Sequence, residues 1–168
     1  MRKLWTFVFA AGLIAGATPP AQASQVQSAL SGLCIQPEGG PGAWNGAVIR
    51  QVPCDPNDAS LKWFIKHAVD WGGRAWFYIE NGAQDGQLCL DLTDGNTADR
   101  TPLQVWECTS RSSTMWWTFG DGRLINFRSR KCVDVRAGSL EVGAVIQNYR
   151  CAELPDGRRN LAQIWNFE

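Results

Sequence analysis

The 168-residue sequence holds a single histidine, His67, and its six cysteines include no Cys-x-x-Cys pair. Those two absences remove the usual donor sets for structural zinc. They also leave a Ser-His-Asp triad resting on one histidine, with no Gly-x-Ser-x-Gly elbow to present a serine. No basic run follows a phosphate backbone, and once Arg2 and Lys3 are set aside 14 basic side chains face 16 acidic ones. Nucleic acid is therefore a poor partner. Beyond residue 23 no apolar stretch is long enough to span a bilayer, and no segment keeps a 3.6-residue period. The chain is neither a helical bundle nor a membrane-spanning protein of the helical kind.

What is present begins with the N-terminus. Two positive charges in Met1–Lys3 precede an apolar run from Leu4 to Ala17, and "ATPPAQA" ends in small residues at Ala21 and Ala23. This is the layout of a secretory signal peptide, residues 1–23, cut after Ala23. No cysteine stands at the cleavage site to carry a lipid. The expectation is a soluble protein of residues 24–168, exported to the periplasm or outside the cell, and large enough for one domain with one core.

In an exported chain of this size six cysteines read as three disulfides. Their spacing suggests the pairing: Cys34 and Cys54 lie 20 apart, Cys89 and Cys108 lie 19 apart, and so do Cys132 and Cys151. Each bridge closes a loop of roughly 20 residues, worth about 3 kcal/mol in the chain-entropy model.

The equal intervals mark a repeat. "KCVDVRAGSLEVGAVIQNYRC" echoes "LCLDLTDGNTADRTPLQVWEC", with Cys-x-Asp at the start and Gln-x-aromatic before the closing cysteine. A third copy, "GLCIQPEGGPGAWNGAVIRQVPC", keeps the cysteines but has Gln36 for the aspartate and Val52 for the aromatic. After each closing cysteine comes a tryptophan, in "LKWFI", "MWWTF" and "QIWNF". Three copies, approximately 24–65, 66–119 and 120–168, fill the domain, and a unit of this length usually cannot bury its apolar face alone. Within a unit the runs "LINFR", "KCVDV", "AVIQNY" and "QIWNF" alternate or are β-branched. Asn81-Gly82, Asp85-Gly86, Asp94-Gly95 and Asp121-Gly122 are hairpin-type turn signals. Four short strands per unit predict an all-β domain of about twelve strands. Extra length in "KHAVDWGGRAWFY" predicts an enlarged loop and strand between units one and two, and "ELPDGRRN" is an insertion in unit three.

Three units of Cys-x-Asp, Gln-x-aromatic-x-Cys and a closing tryptophan resemble the ricin B-chain lectin domain, a β-trefoil, over essentially all of residues 24–168. The resemblance implies that Trp63, Trp117 and Trp165 pack in the shared core. It implies sugar sites at Asp134, Gln147, Tyr149 and Gln163 in unit three and at Asp91, Gln104 and Trp106 in unit two. Ala162 stands where the family often has Asn, with Asn160 near enough to substitute, and Thr114 and Met115 replace the Asn-Gln pair in unit two. Unit one, with Gln36, Arg50, Val52, Ser60 and Leu61 at these places, offers neither carboxylate nor ring. Trp44, Trp71, Trp76 and Trp116 lie outside the motif and are expected to pack, Trp71 being the best candidate among them for exposure.

The residue types suit a neutral sugar. An ionised Asp accepts hydrogen bonds from two neighbouring hydroxyls, an aromatic face meets the C–H patch of the ring, and a Gln amide fixes orientation. Taken singly, Asp91 and Asp134 could instead close polar turns. The resemblance implies galactose-type sugars, with xylan or another polysaccharide also compatible, and no metal or cofactor. Two carboxylates across a cleft would suit a glycosidase, but the three units leave no room for a catalytic domain, so an enzyme is not expected. A rival reading is a partner-docking or cell-binding subunit similar to the delivery subunits of the cytolethal distending toxins.

Overall fold

Twelve strands form among the described residues, four in each unit. Unit one contributes β1 (Ala23–Ser28), β2 (Cys34–Pro37), β3 (Ile49–Val52) and β4 (Lys62–Trp71). Unit two contributes β5 (Arg74–Asn81), β6 (Leu88–Leu92), β7 (Thr101–Glu107) and β8 (Trp117–Gly120). Unit three contributes β9 (Arg123–Asn126), β10 (Cys132–Val135), β11 (Ile146–Tyr149) and β12 (Trp165–Phe167). The structure is a computed structural model, and it describes residues 23–83, 87–109 and 112–168. The signal-peptide reading, apart from Ala23 at the start of β1, and the Asp85-Gly86 turn lie outside the described residues.

The strands divide into a ring and three hairpins. In the ring β1 pairs with β12 and β4, β4 with β5, β5 with β8 and β8 with β9. Trp165 N donates to Gly122 O at 2.8 Å and ties β12 to the β8–β9 turn. The hairpins β2–β3, β6–β7 and β10–β11 each join the first and second cysteine of a unit. They also touch one another, through Val48 with Gln104, Arg50 with Val145 and Gln147 with Pro102. This is the twelve-stranded, three-unit all-β architecture expected from the repeat.

The core explains why the tryptophan recurs. Trp63, Trp117 and Trp165 are buried, and each indole N–H donates to a backbone carbonyl in its own unit. The acceptors are Ile35 O at 3.1 Å, Leu90 O at 3.0 Å and Val133 O at 3.0 Å. Each acceptor follows the unit's first cysteine by one residue, so one ring fills the core and satisfies its polar edge in the same way three times. Around them pack Val26, Ile49, Leu90, Leu103, Val133 and Ile146. All three predicted disulfides are present, with Cα–Cα distances of 5.1 Å.

Several local expectations are corrected. The stretch "KHAVDWGGRAWFY" is not an enlarged loop but a long hairpin, β4–β5, paired from Trp63 with Asn81 out to Trp71 with Arg74. Gly72 and Gly73, at φ 61° and 74°, make the two-residue turn that suits the twist of such strands. The unit boundary drawn after residue 65 therefore falls inside β4. Asn81-Gly82 is not a turn of the hairpin kind. Gly82 is required by space, since a Cβ there would lie 2.4 Å from Ala59 O. Asp121-Gly122 does turn β8 into β9, with φ of 52° and 76°.

The four tryptophans outside the motif divide. Trp76 is buried and Trp116 half-buried, both edge-on to Phe127 with ring centroids at 4.8 and 5.0 Å. Trp71, 55% exposed, meets the same ring at 5.3 Å, and the Arg130 guanidinium lies 4.6 Å from it on the outside. This cluster packs the hairpin onto the β9–β10 turn. Trp44 departs from the packing expectation and is 53% exposed. It sits in the connection between β2 and β3 with its ring laid over Gly39, whose absent Cβ would meet it at 2.5 Å.

Candidate functional site

Unit three builds a polar pocket from an ordinary strand register. Asp134 on β10 faces Gln147 on β11 across the ladder, and Tyr149 lies two residues beyond Gln147. A spacing of two keeps side chains on one face, so the carboxylate, the amide and the ring all point outward from the same hairpin. Gln147 Nε2 donates to Asp134 Oδ1 at 2.7 Å. Arg136, two residues after Asp134 and the first residue past β10, donates from Nε to Gln147 Oε1 at 3.0 Å. Because that oxygen is occupied, the amide nitrogen of Gln147 must face the aspartate.

Gln163 holds the carboxylate from behind. Its Nε2 donates to Asp134 Oδ2 at 3.0 Å and to Arg150 O at 2.9 Å, and its Oε1 accepts from Ala152 N at 2.9 Å. Gln163 has no exposed surface, so it positions Asp134 and does not itself reach the pocket. Burial pushes the Asp134 carboxyl above the usual carboxylate range, opposed in part by the hydrogen bonds from Gln147 and Gln163. Each oxygen of Asp134 accepts one amide and keeps a lone-pair direction for an incoming donor.

The resulting cavity has a volume of about 520 Å³. Besides Asp134, Gln147 and Tyr149 its walls include Asn160, Ala162 and Arg100. Asn160 does come to the cavity, with its Oδ1 capping the 3-10 turn Leu161–Gln163 by accepting from Ala162 N at 3.1 Å. Arg150 lies over the Tyr149 ring, 5.5 Å from its centroid.

Unit two repeats the hairpin and loosens the carboxylate. Asp91 faces Gln104 in register, and Trp106, 42% exposed, stands where Tyr149 does. The bond from Gln104 Nε2 to Asp91 Oδ2 is 3.3 Å, and the same nitrogen is shared with Leu92 O at 3.4 Å. Met115 occupies the place of Gln163 and cannot donate. As a result Asp91 Oδ1 is buried with no hydrogen-bond partner among the described residues. The cavity here is about 350 Å³ and includes Asp94, Ser112 and Thr114.

Unit one is closed. Gln36 Nε2 donates to Asp58 Oδ2 at 2.8 Å and to Ser60 Oγ at 2.7 Å, so the amide and the carboxylate satisfy each other. Asp58 caps the following turn, as Asn160 does in unit three. Arg50, in the place of Gln147, is spent on Glu38 at 3.2 Å and Gly143 O at 3.1 Å. His67 lies on the β4–β5 hairpin, 3.1 Å from Asp70, on an element that lines neither pocket.

Sequence reasoning thus assembled Asp134, Gln147 and Tyr149 in one place and Asp91, Gln104 and Trp106 in another. It missed Arg136, Arg100 and Asp94. The signal for Arg136 was available in its spacing, since it stands two residues after Asp134 at the end of β10.

With this geometry in view, the chain belongs to the ricin-type β-trefoil lectin domain family, whose model matches residues 22–165. No curated protein matches it by sequence. Among solved structures it is similar to ThreeFoil, a designed three-fold symmetric protein, at 20% identity and a TM-score of 0.70, over 86% of this chain and 96% of that one. It is similar to 1,3Gal43A, an exo-β-1,3-galactanase from Clostridium thermocellum, at 24% identity and a TM-score of 0.69. That likeness spans 90% of this chain and 31% of the enzyme. It is also similar to the C-half of an earthworm R-type lectin in complex with GalNAc, at 16% identity and a TM-score of 0.61, over 87% and 97%. At these identities the likeness is one of fold.

Proposed function

We propose that this protein is an exported, non-enzymatic lectin that binds galactose-type sugars or a polysaccharide containing them, with its main site in unit three and a second in unit two. The observation that carries the reading is the Asp134 carboxylate, buried, held by two amides, and open to a cavity bordered by Tyr149 and Asn160. Two vicinal hydroxyls donate to its two oxygens, and the shielding from water strengthens both bonds. The Tyr149 face not covered by Arg150 receives the C–H side of the ring. Asn160 supplies the amide that Ala162 lacks. In unit two Asp91 Oδ1 awaits a donor and Trp106 offers the larger stacking surface. Two modest sites on one rigid domain gain avidity on a crowded glycan surface through effective concentration.

The test is binding of the domain, disulfides intact, to a glycan and polysaccharide array, beside Asp134→Ala and Asp91→Ala. Removing the acceptor from unit three is expected to weaken binding by about 10- to 100-fold, the range for a hydrogen-bonded charge. Asp91→Ala should cost less, and mainly avidity. A folded protein that binds no carbohydrate would favour the second reading, a partner-docking subunit of a toxin-like assembly. What supports that reading is the exposed Trp71 beside Arg130 on the β4–β5 hairpin.

A further inference from the structure

The cavity over Asp134 contains charge that sugar recognition through hydroxyls does not use. Arg136 and Arg100 both line it, against the single carboxylate of Asp134. Arg136 is largely committed, with Nε on Gln147 and Nη2 on Arg100 O at 3.0 Å. Arg100 is exposed, and its guanidinium makes no ion pair or hydrogen bond with any described residue. It reaches unit three from the β6–β7 connection of unit two.

The backbone at Arg100 is the second observation. Its φ is 69°, in the left-handed region where a side chain is disfavoured and glycine is not. The equivalent residues, counted from the closing cysteines, are Gly46 in unit one and Gly143 in unit three, at φ 90° and 87°. Two copies of the turn therefore carry the residue that suits it, and the third carries an arginine held there by Arg100 N on Asn148 O at 2.9 Å. The position abuts the next unit's site. A Cβ built on Gly46 would lie 3.7 Å from Trp106 and 3.9 Å from Gln104 Oε1 in the unit-two pocket. An unfavourable backbone conformation that delivers a cation to a binding cavity points to function.

Unit two presents the opposite sign. Among the described residues its pocket is bordered by Asp91 and Asp94 and by no basic residue. Thr93 and Asp94 stand where unit three has Arg136 and Ala137, in the same left-handed turn, with φ of 53° at Asp94 and 57° at Ala137.

We infer that unit three selects anionic sugars, rings bearing a carboxylate as in uronic acids or a sulfate, through Arg100, while unit two takes neutral ones. The inference rests on the lectin reading above and names the substrate class of its main site. A guanidinium offers a planar pair of donors to a carboxylate or sulfate. The sugar hydroxyls go to Asp134, and the acidic substituent, at the far side of the ring, goes to Arg100.

The experiment uses the whole exported domain with unit two silenced by Asp91→Ala. It compares galactose, galacturonate and galactose 6-sulfate on one surface, and glucose with glucuronate as a second matched pair. At low ionic strength an acidic ligand should bind about five- to tenfold more tightly than its neutral partner. The preference should collapse towards parity in about 1 M salt, where screening acts over a few ångströms. Arg100→Gly, which restores the residue of the other two copies, should bring the acidic-to-neutral ratio to near one while the thermal midpoint holds or rises. A residue kept only for structure would lower that midpoint. Whichever of carboxylate and sulfate binds more tightly identifies the group.

Equal binding of acidic and neutral sugars, or a preference that survives Arg100→Gly, would overturn the inference. If those sugars bind equally and Asp134→Ala still abolishes binding, the lectin reading stands without it. If no sugar binds at all, both fall.

Discussion

Units two and three place the same three residue types on the same face of equivalent hairpins, yet hold their carboxylates differently. In unit three Gln163 donates to Asp134, accepts from Ala152 N and donates to Arg150 O. In unit two Met115 fills the equivalent space with a thioether, and Asp91 Oδ1 has no partner among the described residues. The motif on the strands is thus only half of the site. The other half is one residue on the turn before the core tryptophan, which decides whether the carboxylate is a fixed acceptor or a loosely held one. Buried polar groups are costly when unpaired, so unit two retains an unfavourable group that a ligand hydroxyl would satisfy.

The comparison can be broken most severely from unit three. Gln163→Met copies unit two into it and leaves Asp134 Oδ2, Arg150 O and Ala152 N short of a partner. A loss of about 2–4 kcal/mol is expected, since buried groups left unpaired cost about 1–3 kcal/mol each and relax in part. Thermal or denaturant unfolding reads it, and a change under about 0.5 kcal/mol would mean that Gln163 is not what holds the site.

Acid acts next. The Asp134 carboxyl is raised by burial more than Gln147 and Gln163 lower it, so the proton returns at a higher pH than on an exposed aspartate. Hydroxyl donors need the ionised form, and unit-three binding should fall as pH drops through that raised value, by about tenfold per pH unit below it. Folding runs the other way. The folded state holds this proton more tightly than the unfolded chain, so the favourable contribution of Asp134 is full below the ordinary aspartate value and lost as pH rises through the raised one. A binding titration against pH with Asp91→Ala in place checks the sign. Binding that is flat down to the range of an exposed aspartate would contradict it.

The smallest effect sharpens the comparison instead of breaking it. Met115→Gln gives unit two the missing donor, and the gain should be about 1 kcal/mol in stability. Tighter sugar binding at unit two, read with Asp134→Ala in place, should accompany it. No gain in either would show that the bare Asp91 Oδ1 is not the weakness of that unit.

Much of the fold was legible because it is written three times. Cysteines at near-equal intervals and a tryptophan after each pair fix the units, and each indole finds the same carbonyl in its own unit. The β4–β5 hairpin was not legible, because Trp71-Gly72-Gly73-Arg74 reads equally as a loop or as a tight turn until the flanking strands are known to pair. Asp134, Gln147 and Tyr149 came together because register and a period of two suffice to align them. Gln163 was identified but assigned the pocket when its side chain supports the wall. Arg100 was beyond sequence reasoning, since it belongs to one unit and serves the cavity of the next. The ladder between β7 and β11 brings it there.

The disulfides enclose more than strands. The connections Gly39–Gly46, Thr93–Arg100 and Arg136–Gly143 are each bracketed by one bridge, Cys34 to Cys54, Cys89 to Cys108 and Cys132 to Cys151. These are the segments that border the pockets and stand out into solvent, where a protease finds its substrate first. A cut in any one of them leaves both new ends on the same covalent ring, so a nick opens a loop without parting the chain. The β4–β5 hairpin tip and the stretch from Glu153 to Asn160 have no such clasp. Damage to the exposed connections beside its pockets is damage this protein can carry without dissociating.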